Sequence, residues 1–469
     1  MTHSSHTRAA VLLPVLALLG GLTACTSGDP TAGAGTATHS PTTNAAAPTP
    51  THPVAVAADP RLGVLDPYPS VPGAAWTTSW QSMVPAWGDP AEVDPPVLGD
   101  VTATPHTYPG FRALAVGGTW VVAVGLPVDE WLVGLDAATG AVLWTRPSPG
   151  SDGLLSCGGA SPDGLLVCLG PAASPELQLV DPATGTVSRT LPLDFAADSL
   201  AVVGTTAVVH GVDGDATTVR WEAVDLTTGD VRWDQSAAGA VNPSIEVGDG
   251  LVQTVVVGDV ALLRGTQYSL AVDTRTGERR DTGLGYAFAA RPDGVVIGLD
   301  EAGKVASTLD GTVVRLPGDG MYVPRVWWPD PDAPAGDVVP VLTAEAGPDG
   351  GAGALHAVDP RTGDVLWTAD ADLVAQGVVG DAAVVIDVDT LSVLDLATGA
   401  TRWSAEVGDA VGYDGEHLVV ARAHSVDALD LADGSVAWSV PVEPGTGAAV
   451  VGGALVLTTA DGGLTALAP

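Results

Sequence analysis

The chain has 469 residues, of which 46% are hydrophobic and only 16% are charged, and it contains 59 Gly and 37 Pro. Its 55 acidic and 18 basic residues give a formal charge of −37, which argues against binding of nucleic acid because such a surface repels phosphate. The abundance of Gly and Pro argues against long charged helices and indicates many short strands joined by tight turns.

The N-terminus carries an export signal. An apolar run, Val11–Leu19, precedes Leu22-Thr23-Ala24-Cys25, and it is too short to be a transmembrane helix. The Leu-Thr-Ala-Cys ending resembles a bacterial lipobox, which implies a signal peptide over residues 1–24 and lipid attachment to the sulfur of Cys25. A soluble secreted protein with an incidental cysteine is the alternative.

The rest of the chain divides into a tether and a folded part. Residues 25–60 are rich in Thr, Ala and Pro and are predicted to be a disordered tether. Residues 61–469 are predicted to form one folded domain, in which Ala74–Trp80 is the first clear strand and regular strand patterns begin at Phe111.

Cys157 and Cys168 flank Ser161-Pro162-Asp163-Gly164, a strong turn sequence between two apolar runs. If Pro162 and Asp163 form a two-residue tip, the two cysteines face each other across a hairpin. A bulge at Gly164 would shift this register by one residue. We predict a disulfide within one hairpin, which suits an oxidising compartment, and two buried free thiols are the alternative.

A nine-residue pattern, here called the marker motif, recurs along the chain. Asp opens a turn, Gly holds the fifth position and Trp the ninth, and the spacing of roughly 40 residues indicates a repeat architecture. The seven copies comprise Asp136, Gly140 and Trp144; Asp181 and Gly185; Asp225, Gly229 and Trp233; Asp273 and Gly277; Asp359, Gly363 and Trp367; Asp395, Gly399 and Trp403; and Asp430, Gly434 and Trp438. Arg189 and Asp281 replace the Trp of the second and fourth copies.

The marker residues are predicted to be structural. The Asp carboxylate can accept amide hydrogens two or three residues on, and Gly supplies a positive φ without a Cβ penalty. The Trp adds a large buried area, worth about 2–3 kcal/mol by area.

The strand pattern predicts an all-β fold of four-stranded antiparallel blades, which is a β-propeller. Asp310-Gly311 resembles an eighth, shortened marker. The last three strands, which end at Leu464–Leu467, lack a fourth, and Ala74–Trp80 is expected to complete it and so close the ring with strands from both termini. This count gives nine blades.

The marker units behind a lipobox resemble the pyrroloquinoline-quinone-type (PQQ-like) β-propeller repeat proteins over residues 111–469. That family usually has eight blades, so we favour eight, with a merged unit between residues 300 and 345. The resemblance also implies a possible quinone-dependent dehydrogenase, which has adjacent cysteines and a calcium held by carboxylate and amide groups. This chain has no adjacent cysteines, and Asn242 is the one clear Asn of the repeats. We therefore expect no cofactor, no metal and no catalytic residue.

Trp327-Trp328-Pro329-Asp330 is the least repetitive local sequence. Neighbouring residues of a strand point to opposite faces, so one of Trp327 and Trp328 could contact a partner protein. A loop packed by its own Trp is the alternative.

These observations favour a non-catalytic protein-interaction scaffold, lipid-anchored through Cys25 on the outer face of the bacterial cytoplasmic membrane, with another envelope protein as its partner. A propeller that senses a ligand or cation is the second interpretation, and a quinone-dependent oxidoreductase is the third.

Overall fold

The computed structural model describes residues 63–85, 97–99, 113–126, 129–147, 157–171, 174–212, 218–238, 254–257, 260–264, 269–284, 286–290, 295–300, 305–309, 311–317, 339–346, 352–371, 373–387, 389–459 and 462–468. These residues form nine antiparallel sheets, numbered here as blades 1 to 9 in chain order. The four-residue helix α1 (Trp80–Met83) is the one α-helix in the described part of the chain. The prediction of an all-β propeller is confirmed.

The strands follow one another within each blade. Blade 1 contains β3 (Val97–Gly99), β4 (Leu114–Val116), β5 (Thr119–Leu126), β6 (Asp129–Asp136) and β7 (Val142–Pro147); blade 2 contains β8 (Cys157–Ala160), β9 (Leu166–Leu169), β10 (Glu176–Val180) and β11 (Val187–Pro192); blade 3 contains β12 (Ala196–Val203), β13 (Thr206–Val212), β14 (Thr218–Asp225) and β15 (Val231–Ala238); and blade 4 contains β16 (Thr254–Val257), β17 (Val260–Arg264), β18 (Ser269–Asp273) and β19 (Arg279–Arg280).

The second half of the ring repeats this order. Blade 5 contains β20 (Tyr286–Ala290), β21 (Val296–Leu299), β22 (Val305–Leu309) and β23 (Thr312–Arg315); blade 6 contains β24 (Val341–Ala346), β25 (Ala352–Val358) and β26 (Val365–Ala371); blade 7 contains β27 (Val374–Val379), β28 (Ala382–Ile386), β29 (Thr390–Asp395) and β30 (Thr401–Glu406); blade 8 contains β31 (Asp409–Tyr413), β32 (His417–Ala421), β33 (Ser425–Asp430) and β34 (Val436–Pro441); and blade 9 contains β35 (Gly447–Val451), β36 (Ala454–Thr458) and β37 (Leu464–Ala468).

The preference for eight blades was wrong, and the literal count of nine was right. The unit thought to be merged is blade 5, an independent sheet in which β22 pairs with β23 from Leu309↔Thr312 back to Ala306↔Arg315. The pair Leu309↔Thr312 leaves room for two residues between the strands, fewer than the longer marker turn has. The degenerate sequence therefore marks a shortened turn and does not mark a lost blade.

The ring closes with strands from both ends of the described chain, as predicted. β2 (Gly73–Thr78) is the fourth strand of blade 9 and pairs antiparallel with β37, from Gly73↔Ala468 to Thr78↔Leu464. β1 (Gly63–Val64) adds a parallel strand to β31 of blade 8. The N-terminal segment is thus bound to two neighbouring blades, and the parallel strand had no signal in the sequence.

Helix α1, which follows β2, was not predicted from the sequence either. Ser79 caps it, because its hydroxyl accepts from the amide of Ser82 at 3.3 Å. Trp80 and Met83 are buried, and the carbonyl of Met83 accepts from the hydroxyl of Thr145 at 2.8 Å, which holds the helix against β7 of blade 1.

The hydrophobic core is made of separate clusters that lie largely between neighbouring blades. The largest joins side chains of blades 6, 7 and 8, from Leu342 and Leu355 through Val384 and Val393 to Leu418. The apolar second and third strands supply most of these residues. Each blade therefore depends on its neighbours for the burial of its apolar faces.

Cys157 and Cys168 form a disulfide across β8 and β9, and both are buried. The two residues face each other as predicted, but the register arises differently. The turn has three residues and ends at Gly164 with φ +80°, so that Ala160 pairs with Leu166. A second irregularity between Cys157 and Gly159 shifts the register back and opposes the two cysteines.

Candidate functional site: the turns between neighbouring blades

The marker turns have one common geometry, well shown in blade 7. The amide of Gly399 donates to the carbonyl of Asp395 at 2.8 Å, and the Asp395 carboxylate accepts from the amide and the hydroxyl of Thr398 at 2.9 and 2.8 Å. Gly399 has φ +72°, a left-handed conformation that glycine adopts without a Cβ clash. The Asp and Gly of the marker thus build the turn itself.

A β-bulge follows the turn and orients the Trp. In blade 3, Val224 pairs with Val231 and Ala223 with Trp233, so Arg232 is an extra residue in the fourth strand. Blades 1, 2, 6, 7 and 8 have the same shift at the corresponding place. A bulge bends its strand and re-aims side chains. No residue type marks the bulge in the sequence, where only the fixed spacing from Asp to Trp accompanies it.

The Trp side chain of one blade packs on the marker turn of the next. In each case the indole N–H donates to the carbonyl of the residue that follows the next marker Asp. The five bonds run from Trp76 to Ala137 at 3.0 Å, Trp144 to Pro182 at 2.7 Å, Trp233 to Thr274 at 3.0 Å, Trp367 to Leu396 at 2.7 Å and Trp403 to Leu431 at 3.1 Å. Trp76, on β2, is the Trp of blade 9, which the sequence pattern did not assign.

The same rings require a glycine at the fifth marker position. A Cβ placed on Gly399 would lie 2.6 Å from the Trp367 ring, and one on Gly434 would lie 2.6 Å from the Trp403 ring. A Cβ on Gly140, Gly185 or Gly277 would lie 2.2–2.5 Å from the ring of Trp76, Trp144 or Trp233, respectively. The glycine at the fifth marker position therefore has two causes, which are its positive φ and the close approach of an indole.

In two blades without a marker Trp, another side chain donates the hydrogen bond to the next turn. Arg189 donates to the carbonyls of Leu226 and Thr227 in the next turn, the latter at 2.9 Å. Ser307 of blade 5 donates to the carbonyl of Pro360 at 2.6 Å. A donor aimed at the turn carbonyl thus joins neighbouring blades at seven seams, and indole, guanidinium and hydroxyl groups supply it.

Arginines add ion pairs to three turns, at a spacing that the sequence interpretation missed. Arg232, Arg280 and Arg402 each lie seven residues after a marker Asp and bind its carboxylate. The hydrogen bond from Arg232 lowers the pKa of Asp225 to about 2. Arg402 also binds Asp381 at 2.8 Å, and its hydrogen bond to Asp381 raises the pKa of Arg402. Arg402 thereby connects the last turn of blade 7 to its first hairpin, and Arg232 does so in blade 3 through Thr205 and Thr206.

A buried polar side chain recurs three residues before the marker Asp. The six positions are Gln178, Glu222, Ser307, His356, Ser392 and Asp427. Three of the six bond to the residue directly opposite in the fourth strand: His356 to Thr368 at 2.8 Å, Ser392 to Ser404 at 2.8 Å and Asp427 to Ser439 at 2.5 Å. Burial raises the pKa of Glu222, which also contacts Arg220. Gln178 and Ser307 instead bond to neighbouring blades, through Arg146 and the carbonyl of Pro360.

The adjacent cysteines that the resemblance to quinone-dependent dehydrogenases implies are not present. The cysteines stand at 25, 157 and 168, so the chain has no adjacent pair, and the two described cysteines are bonded to each other across a hairpin. Within the described ranges, no three His, Cys, Asp or Glu side chains form a group that could hold a metal ion. No helix among these residues has the length and apolar character that crossing a membrane requires.

Three predicted site residues lie outside the described residues, namely Cys25, Trp327 and Trp328. The described surface offers a different feature, which is a set of exposed apolar side chains on the fourth strands. Its members are Leu143, Val187, Val231, Val313, Val365, Leu366 and Val436, at 36–58% exposure. Val365 and Leu366 are neighbours in sequence and both nearly half exposed.

The indole contact predicts a difference between two glycine substitutions. Gly399→Ala should cost about 1 kcal/mol for the left-handed backbone and a further 1–3 kcal/mol for the clash with Trp367. Gly164→Ala is the control, because Gly164 has φ +80° but no atom within 4 Å of an added Cβ. Thermal unfolding measures both. Equal losses of stability would contradict the role of the indole.

Comparison with known proteins places the chain in a family. A family model described as outer membrane protein assembly factor BamB matches residues 128–283 and 351–469, more than half of the chain. No curated protein sequence matches it.

Solved structures resemble it at low identity. BamB from Moraxella catarrhalis is 14% identical with a TM-score of 0.40, over 76% of this chain and 93% of that one. Sqt1 from Saccharomyces cerevisiae is 10% identical with a TM-score of 0.47, over 85% of this chain and 100% of that one. A quinohemoprotein alcohol dehydrogenase from Comamonas testosteroni is 13% identical with a TM-score of 0.41, over 87% and 78%. Since the family model covers more than half of the sequence, the protein belongs to the BamB family of PQQ-type propeller repeats.

Proposed function

We propose that this protein is a non-catalytic scaffold, anchored by a lipid on Cys25 to the outer face of the bacterial cytoplasmic membrane, that binds another protein of the cell envelope. Membership of a family described as an assembly factor supports a protein partner. The lipobox-like Leu22–Cys25 supports the anchor.

The observation that carries the proposal is the outer strand of blade 6. β26 begins with Val365 and Leu366, at 47% and 48% exposure. It is the last strand of its sheet, so one row of its backbone N–H and C=O groups has no strand partner among the described residues. An exposed apolar pair on a free edge suits the addition of an extended strand from a partner.

Three other fourth strands are less suited to this contact. β7, β11 and β34 end in Pro147, Pro192 and Pro441, and proline on an edge strand prevents continued pairing. Among the described fourth strands without proline, β26 is the one in which two neighbouring large apolar residues are exposed. The net charge of −37 further favours a partner segment that carries basic residues beside its apolar ones.

A photo-crosslinking residue at position 365 tests the proposed contact in intact cells. We expect a discrete adduct with one envelope protein, because Val365 would lie under the added strand. The control is the same residue at position 401, since Thr401 occupies the corresponding exposed place in blade 7. Equal adducts at both positions, or none at 365, would contradict the contact. If the double substitution Trp327→Ala/Trp328→Ala abolishes the adduct, these two residues belong to the binding surface. If the adduct persists, they do not belong to it.

The anchor has its own test. Cys25→Ser should move the protein from the membrane fraction to the soluble fraction, because the serine hydroxyl is not a substrate for lipid attachment at this motif. Fractionation followed by mass measurement of the N-terminal peptide reads the result. Persistence of Cys25→Ser in the membrane fraction with an unchanged mass would refute lipid anchoring while leaving the partner contact open.

A further inference from the structure

Among the described residues, the seam between blades 8 and 9 lacks a marker turn. The register Val456↔Ala466 of β36 and β37, continued by two residues, sets Ala468 opposite Ala454, as Asp430 lies opposite His417 in blade 8. Ala468 therefore corresponds to the marker Asp. The fourth strand of blade 9 comes from the other end of the described chain, so no turn joins β37 to β2. The Trp of blade 8 thus has no marker turn to pack on in the described part of the chain.

The segment Leu65–Tyr68, here called the strap, lies at this seam. In blades 1, 3, 7 and 8 the amide after the marker Asp donates to the carbonyl just before the second strand. Those bonds join Ala137 to Gly118, Leu226 to Thr205, Leu396 to Asp381 and Leu431 to Glu416, at 2.8–3.0 Å. In blade 9 the amide of Asp66 donates to Gly453 at 2.9 Å, which is the corresponding carbonyl.

Tyr68 supplies the rest of the missing turn. Its ring packs edge-on against Trp438 with 5.8 Å between the ring centroids. Its hydroxyl donates to the carbonyl of Leu467 at 3.0 Å and accepts from the amide of Leu455 at 2.9 Å, so it ties β36 to β37. Leu65 and Tyr68 are both buried, and they complete the apolar cluster between blades 8 and 9.

The replacement is incomplete at one atom. The indole nitrogen of Trp438 is buried and has no hydrogen-bond partner among the described residues, unlike the other five marker-position indoles. A buried donor without an acceptor costs free energy, so this seam lacks a stabilising bond that the other five seams with a Trp contain. In sequence, the strap lies between β1 and β2, the two strands that the N-terminal segment adds to blades 8 and 9.

We propose that Leu65–Tyr68 is a lock for the propeller, and that the ring opens locally at the seam between blades 8 and 9 when the strap is released. The strap binds the seam at three places, through the amides of Leu65 and Asp66 and through the side chain of Tyr68. Its release would free β1 and expose the cluster around Trp438 while the remaining blades keep their indole contacts.

Hydrogen–deuterium exchange of the full chain tests the lock. Tyr68→Phe keeps the ring and removes two hydrogen bonds, so amides of β36 and β37 should exchange about tenfold faster, with blades 3 and 7 unchanged. Ser392→Ala is the control, because it also removes a hydroxyl hydrogen bond, to Ser404 of blade 7 at 2.8 Å, and should leave the exchange of β36 and β37 unchanged. Unchanged exchange in β36 and β37, or an equal rise in all blades, would overturn the proposal.

A second pair of variants tests the same lock from the other side. A Cβ on Gly453 would lie 2.8 Å from the Asp66 carboxylate, whereas Gly118, the corresponding residue of blade 1, has no atom within 4 Å; their φ values are +86° and +81°. Gly453→Ala should therefore accelerate exchange at the seam several-fold, and Gly118→Ala should not accelerate exchange there. The same result for both variants would contradict the strap's role.

Discussion

The contact between a fourth strand and the turn of the next blade is the constraint on which this structure depends. A blade of four short strands cannot bury its apolar faces alone, so its stability comes from its neighbours. The marker motif provides the same contact repeatedly: a bulge aims a Trp, the Trp donates to a turn carbonyl, and a glycine leaves room for the ring, as in Trp367, Leu396 and Gly399. Arg189 and Ser307 show that a guanidinium or a hydroxyl can supply the donor in place of the indole.

This constraint explains how much of the fold was predictable from the sequence. The Asp and Gly of the marker are local turn chemistry, and a local signal identified eight of the nine blades, including the shortened turn at Asp310-Gly311. The ninth blade followed from its three unmatched strands and from Ala74–Trp80. The wrong prediction of eight blades arose because the usual blade number of the family was preferred to the number of turns counted in the sequence. The family model likewise leaves out residues 284–350, where blade 5 and its shortened turn lie.

The features that the sequence did not reveal depend on contacts between distant residues. The bulge changes no residue type, and its existence follows only from the pairing of Ala223 with Trp233. The strap begins with Leu65-Asp66-Pro67, similar to Val358-Asp359-Pro360 of a marker, but lacks the following glycine, so it did not match the pattern. Its partners Leu455 and Leu467 are almost 400 residues away. On the candidate surface, the alternation of side chains along a strand predicts that only one of Val365 and Leu366 is exposed. Both are exposed because they lie beside a bulge.

The central claim is that the indole hydrogen bond to the next turn holds neighbouring blades together, and a matched pair of substitutions measures it. Trp403→Phe and Trp438→Phe remove the same atoms from equivalent buried positions, but Trp403 donates to Leu431 and Trp438 has no acceptor among the described residues. The thermal midpoint should fall clearly further for Trp403→Phe, by the equivalent of about 1–3 kcal/mol for the carbonyl left unsatisfied. Equal falls in the two midpoints would contradict the account.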